Sequence, residues 1–255
     1  MTSRILPVTG LEVGAVSPAV LVCGDPARAD KIAAHLDDAR LLSERREYRA
    51  YRGIYRDVPI TVCSHGIGAP GAALAFEELI VAGAKQIIRV GTCGALQESI
   101  QPGDLVVATA AVQHTGYGRE TVPDGFPAVA DPNVTAVLQR TARLDGTGYY
   151  SGIILTRDNF YAGVQTPHTP DYAALSAAGV QAVEMECAAL FLVGSLRRVQ
   201  TGAVLAVDGN VLHTGESIEE YAPHRQVVQD GVARGIRVAL EALLMLAEDE
   251  ANVAA

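Results

Sequence analysis

Short, continuously apolar runs recur along this 255-residue chain, and several end on a glycine or a charged residue just before a helical pattern begins. A strand that is apolar at every position must be covered on both faces, so it belongs inside a sheet with a helical layer on each side. Such runs lie at Ala19–Cys23, Ile60–Cys63, Gln86–Val90, Asp104–Thr109, Gly152–Leu155, Ala182–Glu184 and Gly202–Val207. Helical spacing falls between them, near Ala27–His35, Ala72–Ala82, Asn133–Ala142, Asp171–Ala177 and Met185–Leu196. The last helix, about Gln226–Glu248, repeats Val228, Val232, Ile236, Leu240 and Leu243 on one face. The alternation predicts an α/β fold: a single domain over residues 1–255 with a mixed or largely parallel central β-sheet flanked by helices. Gly116–Pro132 and Gly163–Pro170 read as long loops, and no internal repeat or linker divides the chain.

Hydrophobic residues make up 49% of the chain and charged residues 19%, enough apolar material for one sizeable core. The net charge of −9 and the lack of a Lys/Arg-rich run argue against nucleic acid or an anionic membrane as partner. A few arginines can still reverse the potential inside one cleft. Cys23, Cys63, Cys93 and Cys187 have no CxxC spacing and read as free, buried thiols of a reducing cytosol. The opening MTSRILPVTG lacks a signal-peptide layout, and no apolar run approaches the roughly 20 residues that span a bilayer. The expectation is a soluble, cytoplasmic protein.

Ligands of open α/β sheets bind at the carboxyl ends of strands, and four strand ends here are unusually polar. At the first, Gly24-Asp25-Pro26 opens a helix whose first turn holds Arg28; its N-terminus favours an anion, or it is an ordinary turn with a surface arginine. At the second, Arg89 interrupts an apolar run beside Gly91-Thr92-Cys93-Gly94. A buried guanidinium needs an anion, either a phosphate held with these donors or an internal carboxylate. Glu184 and Glu186, at the third, suit the vicinal hydroxyls of a sugar, or else decorate a helix N-terminus. Asp208, at the fourth, is an acid near a reacting group or half of an Asp-Gly turn. His65 reads as structural, and neither an HExxH metal motif nor a GxSxG nucleophile turn is present.

Five phrases carry a resemblance: GDPARADK from Gly24, SHGIGAPG from Ser64, RVGTCGAL from Arg89, DNFY from Asp158 and VEMECAAL from Val183. In this order and spacing the chain resembles the nucleoside phosphorylases, the family of uridine phosphorylase and hexameric purine nucleoside phosphorylase. The similarity runs from about Val22 to the C-terminal helix. The resemblance implies phosphate binding by Gly24, Arg28, Arg89 and Thr92, with Arg46 donated by a neighbouring subunit. It implies ribose contacts from Met185 and Glu186, and a base site of Phe160, Cys93, Gly94 and Gln165. Arg89, Glu186 and Asp208 would be the catalytic set. The implied assembly is a homo-oligomer built from dimers, a hexamer, and the implied co-substrate is inorganic phosphate with no further cofactor or metal.

The implied reaction is phosphate-dependent cleavage of a ribonucleoside to free base and ribose 1-phosphate. Several positions depart from the family pattern. The first histidine is His35, so the N-terminal histidine that family members place near the ribose 5′-hydroxyl has no counterpart. Gln165 stands one position from the pyrimidine-reading glutamine, without its arginine. Gly209 occupies the slot of the purine branch's catalytic acid, with Asp208 one residue early. A family potassium site matches Glu47 but meets Gly71 where a serine is expected, so no ion is predicted. Gly209 and the phrase Phe126-Pro127-Ala128-Val129-Ala130-Asp131 lean toward uridine, while the missing arginine and N-terminal histidine keep a purine or 5′-modified nucleoside as the alternative. A nucleosidase would not need three phosphate arginines; a non-catalytic nucleoside-binding protein is the reading from another class.

Overall fold

The computed structural model of the chain describes residues 4–146, 148–161, 163–214, 219 and 221–254. In chain order the elements are β1 (Ala19–Cys23), α1 (Pro26–Ala33), β2 (Asp37–Arg45), β3 (Tyr48–Tyr55), β4 (Val58–Ser64), α2 (Ala69–Ala82) and β5 (Gln86–Ala95). Then come β6 (Leu105–His114), α3 (Gly116–Thr121), β7 (Ala128–Val129), α4 (Pro132–Leu144), β8 (Tyr149–Arg157), α5 (Tyr172–Ala177) and β9 (Ala182–Glu184). The chain finishes with α6 (Cys187–Arg197), β10 (Gln200–Asn210), α7 (Val211–Thr214) and α8 (Gln226–Ala254).

The strands form one mixed sheet in the order β10-β6-β8-β9-β5-β1-β4-β3-β2. Strand β10 also pairs with β5, so β5, β10, β6, β8 and β9 close into a ring. Alternate residues of the buried strands feed two cores, as a period of two requires. Val20, Val22, Ile87 and Leu205 pack with Phe76 of α2 and Phe191 of α6. Leu21, Ile88, Val90 and Val204 face Ile32 of α1, Leu138 of α4 and Leu240 of α8. Leu240 and Leu243 are wholly buried, each stabilising the fold by about 2 kcal/mol.

The α/β architecture and the long terminal helix match the sequence expectation. The segment read as the Gly116–Pro132 loop instead contains α3, capped by the Thr115 hydroxyl accepting from Gly118 N at 3.0 Å, and the two-residue β7. The β2–β3 hairpin was unforeseen. All four cysteines are buried free thiols. No helix among the described residues is long and apolar enough to cross a membrane.

Candidate active site

Strand parity puts Arg89 in the same layer as Ile87, facing α2 and α6. Its side chain is only 4% exposed, and an unpartnered buried guanidinium would cost several kcal/mol. Nη2 donates to Glu186 Oε2 at 2.6 Å and, more distantly, to Glu184 Oε2 at 3.4 Å. Nη1 lies 3.0 Å from His65 Nε2, while Nε has no partner among the described residues. Burial opposes the charge, but Glu186 and Glu184 outweigh it and hold Arg89 above the usual arginine range. The guanidinium folds back over Gly91, where a Cβ would sit 2.7 Å from Nη2. A side chain there would push the Arg89 fork off Glu186, which explains the glycine.

The two carboxylates sit at the β9–α6 junction and do different things. Glu184 Oε2 accepts from the backbone N of Glu186 (2.8 Å) and of Cys187 (3.0 Å), so it caps α6. Its other oxygen takes the Thr156 hydroxyl at 2.5 Å. Glu186 makes no cap of its own; its Oε1 accepts from Gly68 N at 2.6 Å, at the start of α2. Gly68 has φ 93°, a left-handed conformation that favours glycine. Burial pushes the Glu186 carboxyl up, with Arg89 pulling it back.

His65 is fully buried between these groups. Nδ1 lies 2.9 Å from the Gly66 carbonyl, an obligate acceptor, so it carries the proton, and Nε2 accepts from Arg89. Burial first, then the neighbouring Arg89, holds its pKa well below the usual histidine value, so the ring is neutral.

Arg28 lies in the first turn of α1, whose N-cap Asp25 accepts from Ala27 N. Its Nη1 donates to Val90 O at 3.3 Å, beside Arg89. Burial lowers its pKa and the Arg89 charge adds to the effect; two neighbouring guanidiniums call for an anion. Arg28 and Thr92 line a cleft of about 220 Å³ together with Lys31, Tyr221 and His224. Gly24 sits at the same turn, close enough to the Gly66 carbonyl that a Cβ would meet it at 3.3 Å. A larger cleft of about 340 Å³, between β6, α3 and β7, contains none of these groups.

Asp208 is not half of a turn. Strand β10 continues through it, and the pairing with β5 jumps from Val207↔Cys93 to Gly209↔Gly94, leaving Asp208 as the extra residue of a bulge. Bulges re-aim side chains. Here the carboxyl is buried, which raises its pKa to about 6, and Oδ2 accepts from Tyr221 OH at 3.2 Å. Tyr221 meets Phe160 edge to face at 5.0 Å. Cys93 is buried next to Asp208, and burial keeps its thiol protonated. Gly94 packs under Val211, and half-buried Met185 lies between the two glutamates.

The single chain thus gathers Gly24, Arg28, Arg89, Thr92 and Glu186 around one region, and Asp208 and Phe160 each contact Tyr221, which lines the cleft of Arg28 and Thr92. It does not bring in Arg46, exposed at the tip of the β2–β3 hairpin with φ 53°, or Gln165, exposed after β8. Sequence reasoning took His65 as structural and did not place Gly68 or Tyr221 beside the site. His65 follows a buried strand inside a glycine-rich turn, a readable signal; Tyr221 lies in a stretch without periodicity.

A family model described as the phosphorylase superfamily matches residues 18–244. Uridine phosphorylase of Treponema pallidum is 41% identical over 93% of this chain and 92% of its own. Purine nucleoside phosphorylase of Plasmodium vivax is 37% identical over 91% and 93%. The crystal structure of purine nucleoside phosphorylase from Toxoplasma gondii with immucillin-H superimposes with a TM-score of 0.89 at 35% identity, covering 98% of this chain and 99% of that one. Uridine phosphorylase from Vibrio fischeri gives 0.83 at 33% identity, over 96% and 98%. Matched in sequence and in shape across nearly its whole length, the chain belongs to the phosphorylase superfamily, among the nucleoside phosphorylases.

Proposed function

We propose that this protein cleaves the N-glycosidic bond of a ribonucleoside with inorganic phosphate, releasing free base and ribose 1-phosphate, with uridine the leading substrate. The observation that carries the reading is the cleft lined by Arg28 and Thr92, with the Arg28 guanidinium beside the buried Arg89, whose own charge is met by Glu186 at 2.6 Å. Arg28, Arg89, Thr92 and the Gly24 turn hold phosphate; Arg46 from a neighbouring subunit completes the set. Glu186, with Met185 beside it, takes the ribose hydroxyls, and Phe160, Cys93, Gly94 and Gln165 bound the base. As the glycosidic bond stretches, the sugar gains oxocarbenium character. A phosphate fixed beneath it stabilises that charge and is already placed to attack C1′. No cofactor is required. The working form is a homo-oligomer of dimers, a hexamer, in the cytoplasm.

Uridine is favoured by the higher identity to the Treponema uridine phosphorylase than to the Plasmodium enzyme. One observation favours a purine instead: a carboxyl with a pKa near 6, Asp208, linked through Tyr221 to Phe160. Such an acid can protonate a leaving purine. A panel of uridine, thymidine, inosine, adenosine and 5′-methylthioadenosine, each with and without phosphate, tests both. Base release at equal rates in phosphate-free buffer would refute phosphorolysis. Arg89→Lys keeps the charge but loses the planar fork, and should raise the phosphate KM about tenfold or more.

A further inference from the structure

Resting on the reading of Arg89 as a phosphate ligand, we infer that His65 is a positioning residue for phosphate: its Nε2 lone pair fixes the plane of the Arg89 guanidinium. A planar guanidinium held only at Nη2 can pivot about that contact. Here Glu186 Oε2 holds Nη2 at 2.6 Å and His65 Nε2 holds Nη1 at 3.0 Å, and two anchors define the plane. The Nε–H is left buried without a partner among the described residues, so the Glu186 and His65 contacts alone orient the fork.

The imidazole is itself held on every side. Its Nδ1–H donates to the Gly66 carbonyl at 2.9 Å, which selects the tautomer that leaves Nε2 as acceptor. Its ring meets Phe76 edge-on, with centroids 5.4 Å apart. Its backbone N donates to Cys23 O at 2.8 Å and Gly66 N donates to Gly24 O at 3.0 Å, tying this turn to the one that opens α1. Three residues on, Gly68 N holds the other oxygen of Glu186. One turn therefore sets both groups between which the Arg89 fork is stretched. His65 touches neither phosphate nor sugar in this scheme; it acts through Arg89.

The test compares His65→Gln, His65→Asn and His65→Phe in the full-length protein. Glutamine extends an amide oxygen to the reach of Nε2; asparagine is too short, and phenylalanine keeps the ring without an acceptor. Phosphate KM at saturating nucleoside, nucleoside KM at saturating phosphate and Tm are measured for each. The asparagine and phenylalanine variants should raise the phosphate KM about tenfold, leaving the nucleoside KM within about twofold. The glutamine variant should remain within about threefold of the parent on phosphate. Equal phosphate KM values across all three variants, or an unmoved value in folded His65→Phe, would overturn the inference. Should His65→Phe fail to fold, the Gln/Asn pair decides the matter. Arg89→Lys serves as the control: if that variant leaves the phosphate KM unchanged, the phosphate-site reading itself has failed, whatever His65 does.

Discussion

Asp208 carries a proton at a pH where ordinary aspartates have lost theirs. Burial raises its pKa to about 6, while the Tyr221 hydroxyl, Arg28 and Arg225 restrain the rise and Cys93 beside it stays a neutral thiol. A residue that donates a proton to the leaving base must hold it beforehand. With a purine nucleoside, kcat/KM should therefore fall as pH rises above about 6, and Asp208→Asn should abolish that limb. Uridine should show no such limb if its base leaves without this acid. Tyr221→Phe removes a donor that favours the charged carboxylate, so the limb should move to higher pH; a limb that stays in place would show that the 3.2 Å contact does not act on the acid. Parts of this site could be read from the chain alone. Arg89 was legible because a guanidinium inside an apolar run demands an explanation. For Asp208 the sequence left an acid and an Asp-Gly turn both open, because such a pair after a strand signals a turn as readily as a bulge, and only the pairing with β5 distinguishes them.

At the level of elements, the junction of β9 and α6 does two jobs through two glutamates separated by Met185. Glu184, with a side chain 1% exposed, caps α6 and accepts the Thr156 hydroxyl while it shares Arg89. Its removal leaves helix N–H groups and part of a buried positive charge without an acceptor. Glu184→Ala should lower unfolding free energy by about 3 kcal/mol, measured by urea denaturation; a loss below about 1 kcal/mol would mean the junction tolerates an empty cap. The sequence pattern located β9 and α6 because both are continuous apolar runs, one short and ending on Glu184, the other long enough for a helix. It missed β2 and β3 for a physical reason. The β2 run DDARLLSER is exposed or half-exposed throughout, so it carries no buried stripe, and β3 buries only Tyr48, Ala50 and Gly53. Its pairing to β4 at Ala50↔Cys63 is what makes it a strand. Short α3 escaped notice because two glycines in six residues are poor helix formers, and the Thr115 cap supplies what propensity lacks.

The whole molecule poses a question one chain cannot answer by itself: what Arg46 is for. It stands in a left-handed turn at the tip of a hairpin on the outer edge of the sheet, four strands from Arg89, counting from β5 through β1, β4 and β3 to β2. In the proposed function it belongs to the anion site of another copy of the chain. If it acts there, sites are composite, and two different defects can be split between subunits. Arg46→Ala removes the donated guanidinium, and Glu186→Gln removes the sugar acceptor while keeping the shape of the side chain. Each variant alone should lose most phosphorolysis. In a mixed dimer, one site combines both defects and the other combines neither. Statistical mixing of equal amounts should therefore return about one quarter of the parent activity. Co-refolding or co-expressing the two variants and assaying the mixture against each alone measures this directly. Recovery no greater than the sum of the separate variants, with mixed oligomers confirmed by mass spectrometry, would place Arg46 outside the neighbour's site.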